Sequence, residues 1–359
     1  MSELAFIADT PVQVLNCIRL RQGVAELQDR CDIFIGLQFA DAEEIAKRLK
    51  ATGLFEHVFT YLPEIKDAVG WATKARYIAK PQARLVSMLV DEIDPSRLSD
   101  YTTIFMSLFT RFAVALRFFN KKAETIFYDD GIGSYNDGIF SLGDSAKRRF
   151  AYGLFGYRFS DISPHVIYLT SPGFAQYQRQ DIEKREIPRE TSVELQETIA
   201  EVFAIGQAPE IPLHQLTYFT QPAADDPLMA SAVSQTDDAL IASGVDALVR
   251  RHPREPQVPL GNFALDTSHA MWEIVASTCV DDDSVLMTVF STTLFVPKLS
   301  YDMEPRLVFT YKLSYKGEAA DRMDGLVKRL RARYRDPSKI VTPECRADLD
   351  AILQNIRKR

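Results

Sequence analysis

An apolar run passes directly into a helix start in Leu4-Ala5-Phe6-Ile7-Ala8-Asp9-Thr10-Pro11-Val12-Gln13. The run Leu4–Ala8 is short and apolar, which predicts a buried strand. Thr10 is placed to cap the helix that follows, and Pro11 suits the first helical position because its missing N–H needs no partner there. This stretch therefore predicts a strand that leads into a capped helix, as in the first half of a βαβ unit.

The same alternation of strand and helix patterns continues as far as Leu169. Further apolar runs predict strands over Asp32–Leu37, Val58–Leu62, Thr103–Met106, Thr125–Tyr128 and Val166–Leu169. Helix-length patterns cover Val12–Glu26, Ala42–Ala51, Ala68–Asp91 and Arg111–Phe119. Strands that alternate with helices indicate a mainly parallel sheet covered on both faces. Ligands gather at the carboxyl ends of such strands, so candidate site residues are sought there.

A second alternating region follows a helical pattern at Ser192–Phe203 and the segment Gly206–Pro212. Two prolines and a glycine within that short segment indicate an interdomain linker. Beyond it, strands are predicted over Leu216–Thr220, Ala247–Arg250, Val285–Phe290 and Leu307–Tyr311. Helices are predicted over Met271–Cys279, Ala319–Tyr334 and Ala347–Ile356. We therefore predict an α/β protein with domains at 1–205 and 213–340 that face each other across a cleft, and a C-terminal helix within 341–359.

The composition excludes several classes of protein. Hydrophobic residues make up 46% and charged residues 25% of the 359 residues, which excludes wholesale disorder. The net charge of −7 makes nucleic acid an unexpected partner. The four cysteines form no CxxC pair and no cluster with histidine, so we expect neither a structural zinc site nor a disulfide framework. A reducing compartment fits this pattern.

Signals for membrane insertion are weak in the sequence. We identify no secretion signal, and the apolar stretch from Ile104 to Phe119 is interrupted by Arg111 and Arg117. It is also shorter than the roughly 20 apolar residues that span a bilayer. A cytoplasmic location is therefore expected. The segment from Arg322 to Arg335 is strongly basic, which fits either a solvated helix face or peripheral contact with the inner membrane.

Two adjacent carboxylates follow the predicted strand that ends at Tyr128. Asp129 and Asp130 lead into the glycine-rich turn that contains Gly131 and Gly133. Neighbouring side chains at a strand end point to opposite sides, so only one of the two acids can face a ligand directly. Crowding of two like charges raises the pKa of one of them, as a general base requires. The alternative is an Asp-Gly turn with solvated carboxylates.

A histidine within a basic segment follows another predicted strand, in Arg250-Arg251-His252-Pro253-Arg254. A residue before proline is held in extended geometry, so His252 should be rigidly placed at the strand end. An imidazole among arginines suits an anion such as phosphate. A surface histidine beside solvated arginines is the competing interpretation.

Hydroxyl residues follow two further predicted strands. Ser291, Thr292 and Thr293 lie after the strand that ends at Phe290, where they fit an anion site or a plain helix cap. Thr10 and Gln13 occupy the equivalent place after the first strand. A cap explains Thr10 without a ligand, and the pattern leaves open whether Gln13 faces the cleft.

Taken together and in this order, these segments resemble bacterial sialyltransferases, with glycosyltransferase family 52 as the nearest match. That family includes lipooligosaccharide sialyltransferases. The matching stretches are Thr10–Asn16, Tyr128–Tyr135, Arg251–Arg254, Trp272–Val275 and Ser284–Leu286 leading to Ser291–Thr293. The resemblance implies a GT-B fold of two Rossmann-like domains and an inverting reaction with a CMP-activated sugar. It also implies catalysis without a metal or any other cofactor.

The resemblance further implies roles for individual residues. Asp129 would be the general base on the acceptor hydroxyl, and His252 would stabilise the departing CMP phosphate. Ser291 and Thr292 would hold the same phosphate, and Glu273 is similar to an acid that binds the ribose hydroxyls. Other residues of the matching motifs are expected to bind substrate: Thr10, Gln13, Asp130, Gly131, Gly133, Pro253, Arg254 and Thr293.

The leading hypothesis is a sialyltransferase that acts on a glycan or glycolipid acceptor such as lipooligosaccharide or capsular polysaccharide. A second hypothesis is a GT-B transferase that uses another CMP-nonulosonic acid or a UDP-hexose. A third is a catalytically silent protein that binds a nucleotide or a glycan. The paired acids and the His-Pro motif are both present, which argues against loss of catalysis.

Overall fold

The computed structural model describes residues 3–25, 29–63, 71–91, 93–140, 146–189, 192–205, 216–223, 226–252, 255–268 and 270–358. The chain divides into two compact units. Unit 1 comprises Met1–Ile205 and unit 2 comprises Gly206–Arg359. The predicted linker Gly206–Pro212 lies outside the described residues.

Unit 1 contains a seven-stranded parallel sheet of order β3-β2-β1-β4-β5-β6-β7. Its strands are β1 (Glu3–Ala8), β2 (Arg30–Gly36), β3 (His57–Tyr61), β4 (Thr103–Met106), β5 (Glu124–Tyr128), β6 (Val166–Leu169) and β7 (Glu183–Glu186). The inner strands are buried almost throughout, which explains their continuous apolar runs. The first six strands were predicted. β7 was not, because its sequence Glu-Lys-Arg-Glu carries no apolar signal.

Among its described residues, unit 1 has seven α-helices, of which the last follows β7. They are α1 (Pro11–Gly23), α2 (Ala42–Ala51), α3 (Trp71–Ala79), α4 (Pro81–Met88), α5 (Arg111–Phe119), α6 (Ala146–Gly153) and α7 (Val193–Val202). Thr10 caps α1 as predicted, since its hydroxyl accepts the N–H of Gln13 at 3.3 Å and Pro11 takes the first helical position. The single helix predicted over Ala68–Asp91 is wrong. It is divided at Lys80, where Pro81 starts a new helix.

Unit 2 contains a six-stranded parallel sheet of order β10-β9-β8-β11-β12-β13. Its strands are β8 (Leu216–Phe219), β9 (Ala247–Arg250), β10 (Ala264–Leu265), β11 (Val285–Thr288), β12 (Arg306–Phe309) and β13 (Ile340–Val341). In both sheets, the first strand in the chain pairs with the second on one side and the fourth on the other. This is the strand order of a Rossmann-like fold, in which ligands bind near that switch point.

The described part of unit 2 also contains five α-helices. They are α8 (Pro227–Ser243), α9 (Trp272–Cys279), α10 (Val296–Tyr301), α11 (Glu318–Arg331) and α12 (Arg346–Arg357). The C-terminal helix predicted within 341–359 corresponds to α12. Its Leu349, Leu353 and Ile356 join the hydrophobic core of unit 2, and β13 already includes Val341. The final segment is therefore part of unit 2 rather than an appendage.

The described helices were compared with the length and hydropathy of a membrane-spanning helix. Among the described residues, none combines the length and the apolar character that crossing a bilayer requires.

Candidate functional site

Asp129 lies directly after β5, and its carboxylate is almost completely enclosed. Only 4% of the residue is exposed. Oδ1 accepts the N–H of Gly131 at 2.8 Å, and Oδ2 accepts the hydroxyl of Tyr135 at 2.6 Å and the N–H of Thr170 at 3.2 Å. Burial raises the pKa of Asp129, while these hydrogen bonds lower it. The carboxylate thus connects the end of β5 to its own turn and to the end of β6.

Asp130 is partly exposed and is held by a residue of α1. Its Oδ1 accepts a short hydrogen bond from Nε2 of Gln13, and its backbone N–H donates to Oγ of Ser134 at 2.8 Å. Burial raises the pKa of Asp130, the hydrogen bond from Gln13 lowers it, and the charges of Asp129 and Asp9 raise it; together they place it at about 6. Asp130 is therefore a carboxylate that titrates near neutral pH, as general bases do.

A third acid, Asp9, lies at the end of β1 and belongs to the same network. Its Oδ1 accepts the hydroxyl of Tyr61 at 2.6 Å, and its N–H donates to Oε1 of Gln13 at 2.6 Å. Gln13 thus contacts Asp9 with its carbonyl and Asp130 with its amide. Burial raises the pKa of Asp9, and the Tyr61 hydroxyl lowers it. We call Asp9, Asp129 and Asp130 the acid cluster.

Close packing at the end of β2 brings Asp9 into this position. A Cβ atom on Gly36 would lie 2.3 Å from Oδ1 of Asp9, so only glycine leaves room for the carboxylate. The signal for Asp9 was available, because it immediately follows the first predicted strand. Thr10 and Gln13 were predicted at this place, whereas Asp9, Tyr61 and Gly36 were not.

The two glycines after the acid pair differ in their structural role. Gly131 has a φ of 110°, a conformation that side chains other than glycine rarely adopt. This conformation lets its N–H reach Asp129. Gly133 is exposed, and a Cβ there would meet no atom within 4 Å. The predicted Asp-Gly turn is therefore present. The interpretation that its carboxylates are solvated is wrong for Asp129, which is buried.

In unit 2, His252 lies just after β9 and is tied to the end of β8. Its backbone N–H donates to Oγ1 of Thr220 and to Oε2 of Glu255, each at 3.1 Å. The Thr220 hydroxyl donates in turn to the same Glu255 oxygen at 2.5 Å. His252 is partly exposed, so the imidazole is carried on a fixed backbone at the carboxyl edge of the sheet. Pro253 and Arg254 lie outside the described residues.

We call Ser291, Thr292 and Thr293, which follow β11, the hydroxyl segment. Gln221 connects the start of this segment to the end of β8. The Gln221 side chain accepts the N–H of Phe290 at 2.6 Å and donates to the carbonyl oxygen of the same residue. Ser291 caps the short 3₁₀ helix Thr292–Leu294, with its hydroxyl 3.4 Å from the N–H of Thr293. The predicted capping role of Ser291 is thus confirmed.

One hydroxyl in this segment is buried without a bond. Oγ1 of Thr293 makes no hydrogen bond within the part of the chain that the structure describes. A buried hydroxyl group normally has a partner, so this atom retains a hydrogen bond that a polar ligand or a water molecule can complete. The Thr293 carbonyl accepts Nε1 of Trp272 at 2.9 Å, which fixes the segment against α9.

Trp272 also connects the hydroxyl segment to the strand that carries His252. The guanidinium of Arg250 lies 5.3 Å from the ring centre of Trp272 and forms a buried ion pair with Asp266 at 2.9 Å. Glu273, predicted to bind ribose hydroxyls, is the next residue of α9 and is partly exposed. Its carbonyl accepts the hydroxyl of Tyr301 at 2.5 Å. Unit 2 therefore brings the ends of β8, β9 and β11 and the start of α9 together.

The predicted site residues thus form two groups, one at each sheet's carboxyl edge. Thr10, Gln13, Asp129, Asp130 and Gly131 belong to unit 1 and are directly connected by hydrogen bonds or adjacency. The second group lies in unit 2: His252, Glu273, Ser291, Thr292 and Thr293. A search of the described residues finds no group of three or more His, Cys, Asp or Glu side chains arranged to hold a metal ion.

No protein-family model matches the chain, and no curated protein matches it in sequence. Solved structures do match it along almost its full length. Spinosyn forosaminyltransferase SpnP is 11% identical, with a TM-score of 0.51 over 100% of this chain and 91% of that chain. Arabidopsis thaliana UGT89C1 complexed with UDP is 11% identical, with a TM-score of 0.51 over 99% of this chain and 90% of that chain.

A sialyltransferase is also among the similar structures. The 2,6-sialyltransferase of Vibrionaceae Photobacterium sp. JT-ISH-224, in a ternary complex with CMP and lactose, is 10% identical. Its TM-score is 0.51 over 95% of this chain and 78% of that chain. Similarity at such low identity shows the fold alone. With a Rossmann-like sheet in each unit, the chain therefore has the GT-B fold of these glycosyltransferases.

Proposed function

We propose that this chain is an inverting glycosyltransferase that transfers sialic acid from CMP-sialic acid to a hydroxyl of a cell-surface glycan. The observation that carries the proposal is the acid cluster, in which Asp130, a partly exposed residue with a raised pKa, lies at the carboxyl edge of a Rossmann-like sheet. The GT-B fold and the motif resemblance support the same activity. The acceptor in this proposal is lipooligosaccharide or capsular polysaccharide.

The acid cluster supplies the base in this reaction. A carboxylate accepts the proton of the acceptor hydroxyl, the hydroxyl oxygen attacks the anomeric carbon, and the bond to CMP breaks. Asp130 is the member that its exposure and pKa favour for this role, because both oxygens of Asp129 already accept hydrogen bonds within the protein. Asp129 then acts as a positioning residue. The sequence predicts Asp129 as the base instead, and separate substitutions of Asp129 and Asp130 distinguish these two assignments.

Unit 2 holds the donor in this proposal. His252 contacts the CMP phosphate and stabilises the negative charge that grows as CMP departs. Ser291 and Thr292 bind the same phosphate, the buried hydroxyl of Thr293 provides a further hydrogen bond, and Glu273 binds the ribose hydroxyls. No metal or other cofactor takes part in the proposed step. A cytoplasmic location belongs to the same proposal.

The strongest competing function is transfer from a UDP-sugar or another CMP-nonulosonic acid. One of the similar structures is complexed with UDP and another with CMP, so their likeness supports either nucleotide. A silent nucleotide- or glycan-binding protein is the remaining alternative. These possibilities differ in which donor is turned over.

A donor panel tests the proposal. Purified protein is incubated separately with CMP-sialic acid and UDP-hexoses, with and without a lactose acceptor, and release of CMP or UDP is measured. We expect acceptor-dependent CMP release from CMP-sialic acid that Asp130→Asn lowers about 10²–10⁴-fold. Gly325→Ala, at a position in α11 where an added Cβ meets no atom within 4 Å, is the control that retains activity. Release of UDP alone would show that the donor is a UDP-hexose and not CMP-sialic acid. Binding of CMP without turnover of any donor would favour the silent protein.

A further inference from the structure

Three large apolar side chains are exposed close together at the end of α6. Phe150 is 69% exposed, Leu154 68% and Phe155 42%. The N–H of Leu154 donates to the carbonyl of Phe150 at 3.1 Å, so the two residues are one helical turn apart and share a face. We call Phe150, Leu154 and Phe155 the α6 patch.

The opposite side of α6 is firmly packed, which separates the α6 patch from the core. Tyr152 is buried, and its ring lies 5.4 Å from that of Phe118 and 5.2 Å from that of Phe159. These aromatic contacts attach α6 to α5 and to the segment that follows α6. The α6 patch therefore lies on a helix that is packed against the core through its other face.

The sequence that contains the α6 patch is basic although the whole chain is acidic. The sequence from Ala146 to Arg158 carries four basic residues and no acidic one. Lys121, which is exposed, places its Nζ 5.6 Å from the ring centre of Tyr157. Exposed apolar side chains within a basic surface are the combination that binds the interface of an anionic bilayer.

The basic segment from Arg322 to Arg335, for which the sequence allows contact with a membrane, lacks this combination. In α11 and the residues that follow it, Arg331 donates to the carbonyl of Ile340, and Arg335 pairs with Asp282 at 3.0 Å. These cations stabilise the fold of unit 2. No large apolar side chain of α11, which the structure describes completely, is among the exposed ones.

We propose that the α6 patch is a docking surface for an anionic phospholipid bilayer. Phe150, Leu154 and Phe155 insert at the level of the headgroups, while the exposed Lys121, Arg149 and Arg158 bind the lipid phosphates. The inference adds a partner to the proposed function, since a glycan on a lipid anchor would be met at such a surface. It is tested without donor or acceptor, so its failure leaves the transferase proposal unaffected.

The experiment is co-sedimentation of the full-length protein with vesicles of phosphatidylcholine alone or with phosphatidylglycerol added. We expect binding only to the anionic vesicles, and weaker binding at high salt because charge attraction is screened. The triple variant Phe150→Ser, Leu154→Ser, Phe155→Ser should lower the partition coefficient about tenfold or more. The double variant Lys121→Glu, Arg158→Glu should also lower it without removing apolar surface.

Matched controls distinguish the patch from general surface effects. Val193→Ser with Ile241→Ser removes two apolar residues that are exposed elsewhere, and it should leave binding unchanged. Arg322→Glu with Lys328→Glu tests α11 in the same way. The proposal is overturned if the native protein does not bind anionic vesicles. It is equally overturned if the α11 variant weakens binding and the variants of the α6 patch do not. It is also overturned if the triple variant converts a dimer to a monomer in light scattering, because the patch would then bind a second copy.

Discussion

The carboxyl edges of the two sheets differ in chemistry although their strand orders follow the same scheme. In unit 1 the strand ends carry Asp9, Asp129 and Asp130, two of them buried. In unit 2 the corresponding edge carries His252 and the hydroxyl segment after β11. One edge therefore concentrates carboxylates that resist ionisation, and the other concentrates groups that donate hydrogen bonds to an anion.

The difference teaches that the strand order fixes where a ligand binds, while the residues at the strand ends fix what is done to it. Burial gives the acids of unit 1 raised pKa values, which suits proton removal from a hydroxyl. The edge of unit 2 suits a phosphate. If this division is correct, changes at the two edges should damage different steps of the reaction.

The largest expected effect is that of Asp130→Asn on kcat. The amide keeps the shape of the side chain but accepts no proton, so kcat should fall about 10²–10⁴-fold while CMP binding in calorimetry is retained. Asp129→Asn should also reduce activity, but with a lower melting temperature because a buried network is disturbed. Full activity of Asp130→Asn with complete loss in a stably folded Asp129→Asn would return the base role to Asp129.

The next effect is that of His252→Ala, which tests the edge of unit 2. Loss of the group that stabilises departing CMP should lower kcat about 10²–10³-fold, and it should lower donor hydrolysis in the absence of acceptor as well. Asp130→Asn should affect transfer to an acceptor more than donor hydrolysis. Equal effects of the two variants on both reactions would contradict the division of roles.

A smaller effect, on stability, is expected for Gly36→Ala. The new Cβ would collide with the Asp9 carboxylate and displace it from the Tyr61 hydroxyl, which should cost about 1–3 kcal/mol. Thermal or urea unfolding measures this change. Gly133→Ala is the matched control, because the added methyl group meets no atom, and its effect should stay within about 1 kcal/mol. Equal stabilities of the two variants would show that Asp9 is not confined by Gly36.

The smallest effect is a shift in the acidic limb of the pH profile. Activity through Asp130 requires its deprotonated form, so kcat/KM should rise with pH through about 6. Asp9→Asn removes a negative charge that raises the pKa of Asp130, and the limb should move to lower pH. Gln13→Leu removes the amide that lowers this pKa, and the limb should move to higher pH. Shifts of the same sign in both variants would contradict the network.

Local pattern predicted most of the fold and two of the three residues of the acid cluster. The buried strands from β1 to β6 are continuous apolar runs, which a sequence displays directly. In contrast, α8 went unpredicted because its buried face consists largely of small and polar residues such as Ala232 and Thr236. β7 and the two-residue strands β10 and β13 form only through pairing with a neighbour, which a local pattern does not contain.

The contacts within the site could not be predicted from local sequence patterns because they join distant segments of the chain. Gln13 reaches Asp130 across 117 positions, and Tyr61 reaches Asp9 across 52. The motif identified Asp129 and Asp130 but not which of them would be enclosed. That outcome depends on Tyr135 and on Thr170, the first residue after β6, whose distances from Asp129 are set by tertiary structure.

The charged strand β7 has a consequence for how this protein behaves at high concentration. It borders the sheet of unit 1, and all four of its residues are exposed. A long apolar border would recruit strands from other molecules, whereas alternating charges and long polar side chains disfavour such recruitment. At the opposite border, the N–H of Val90 donates to the carbonyl of Thr60 and covers β3. The charged side chains of β7 and the backbone contact at Thr60 therefore disfavour the addition of a strand from another molecule at the two edges of this sheet.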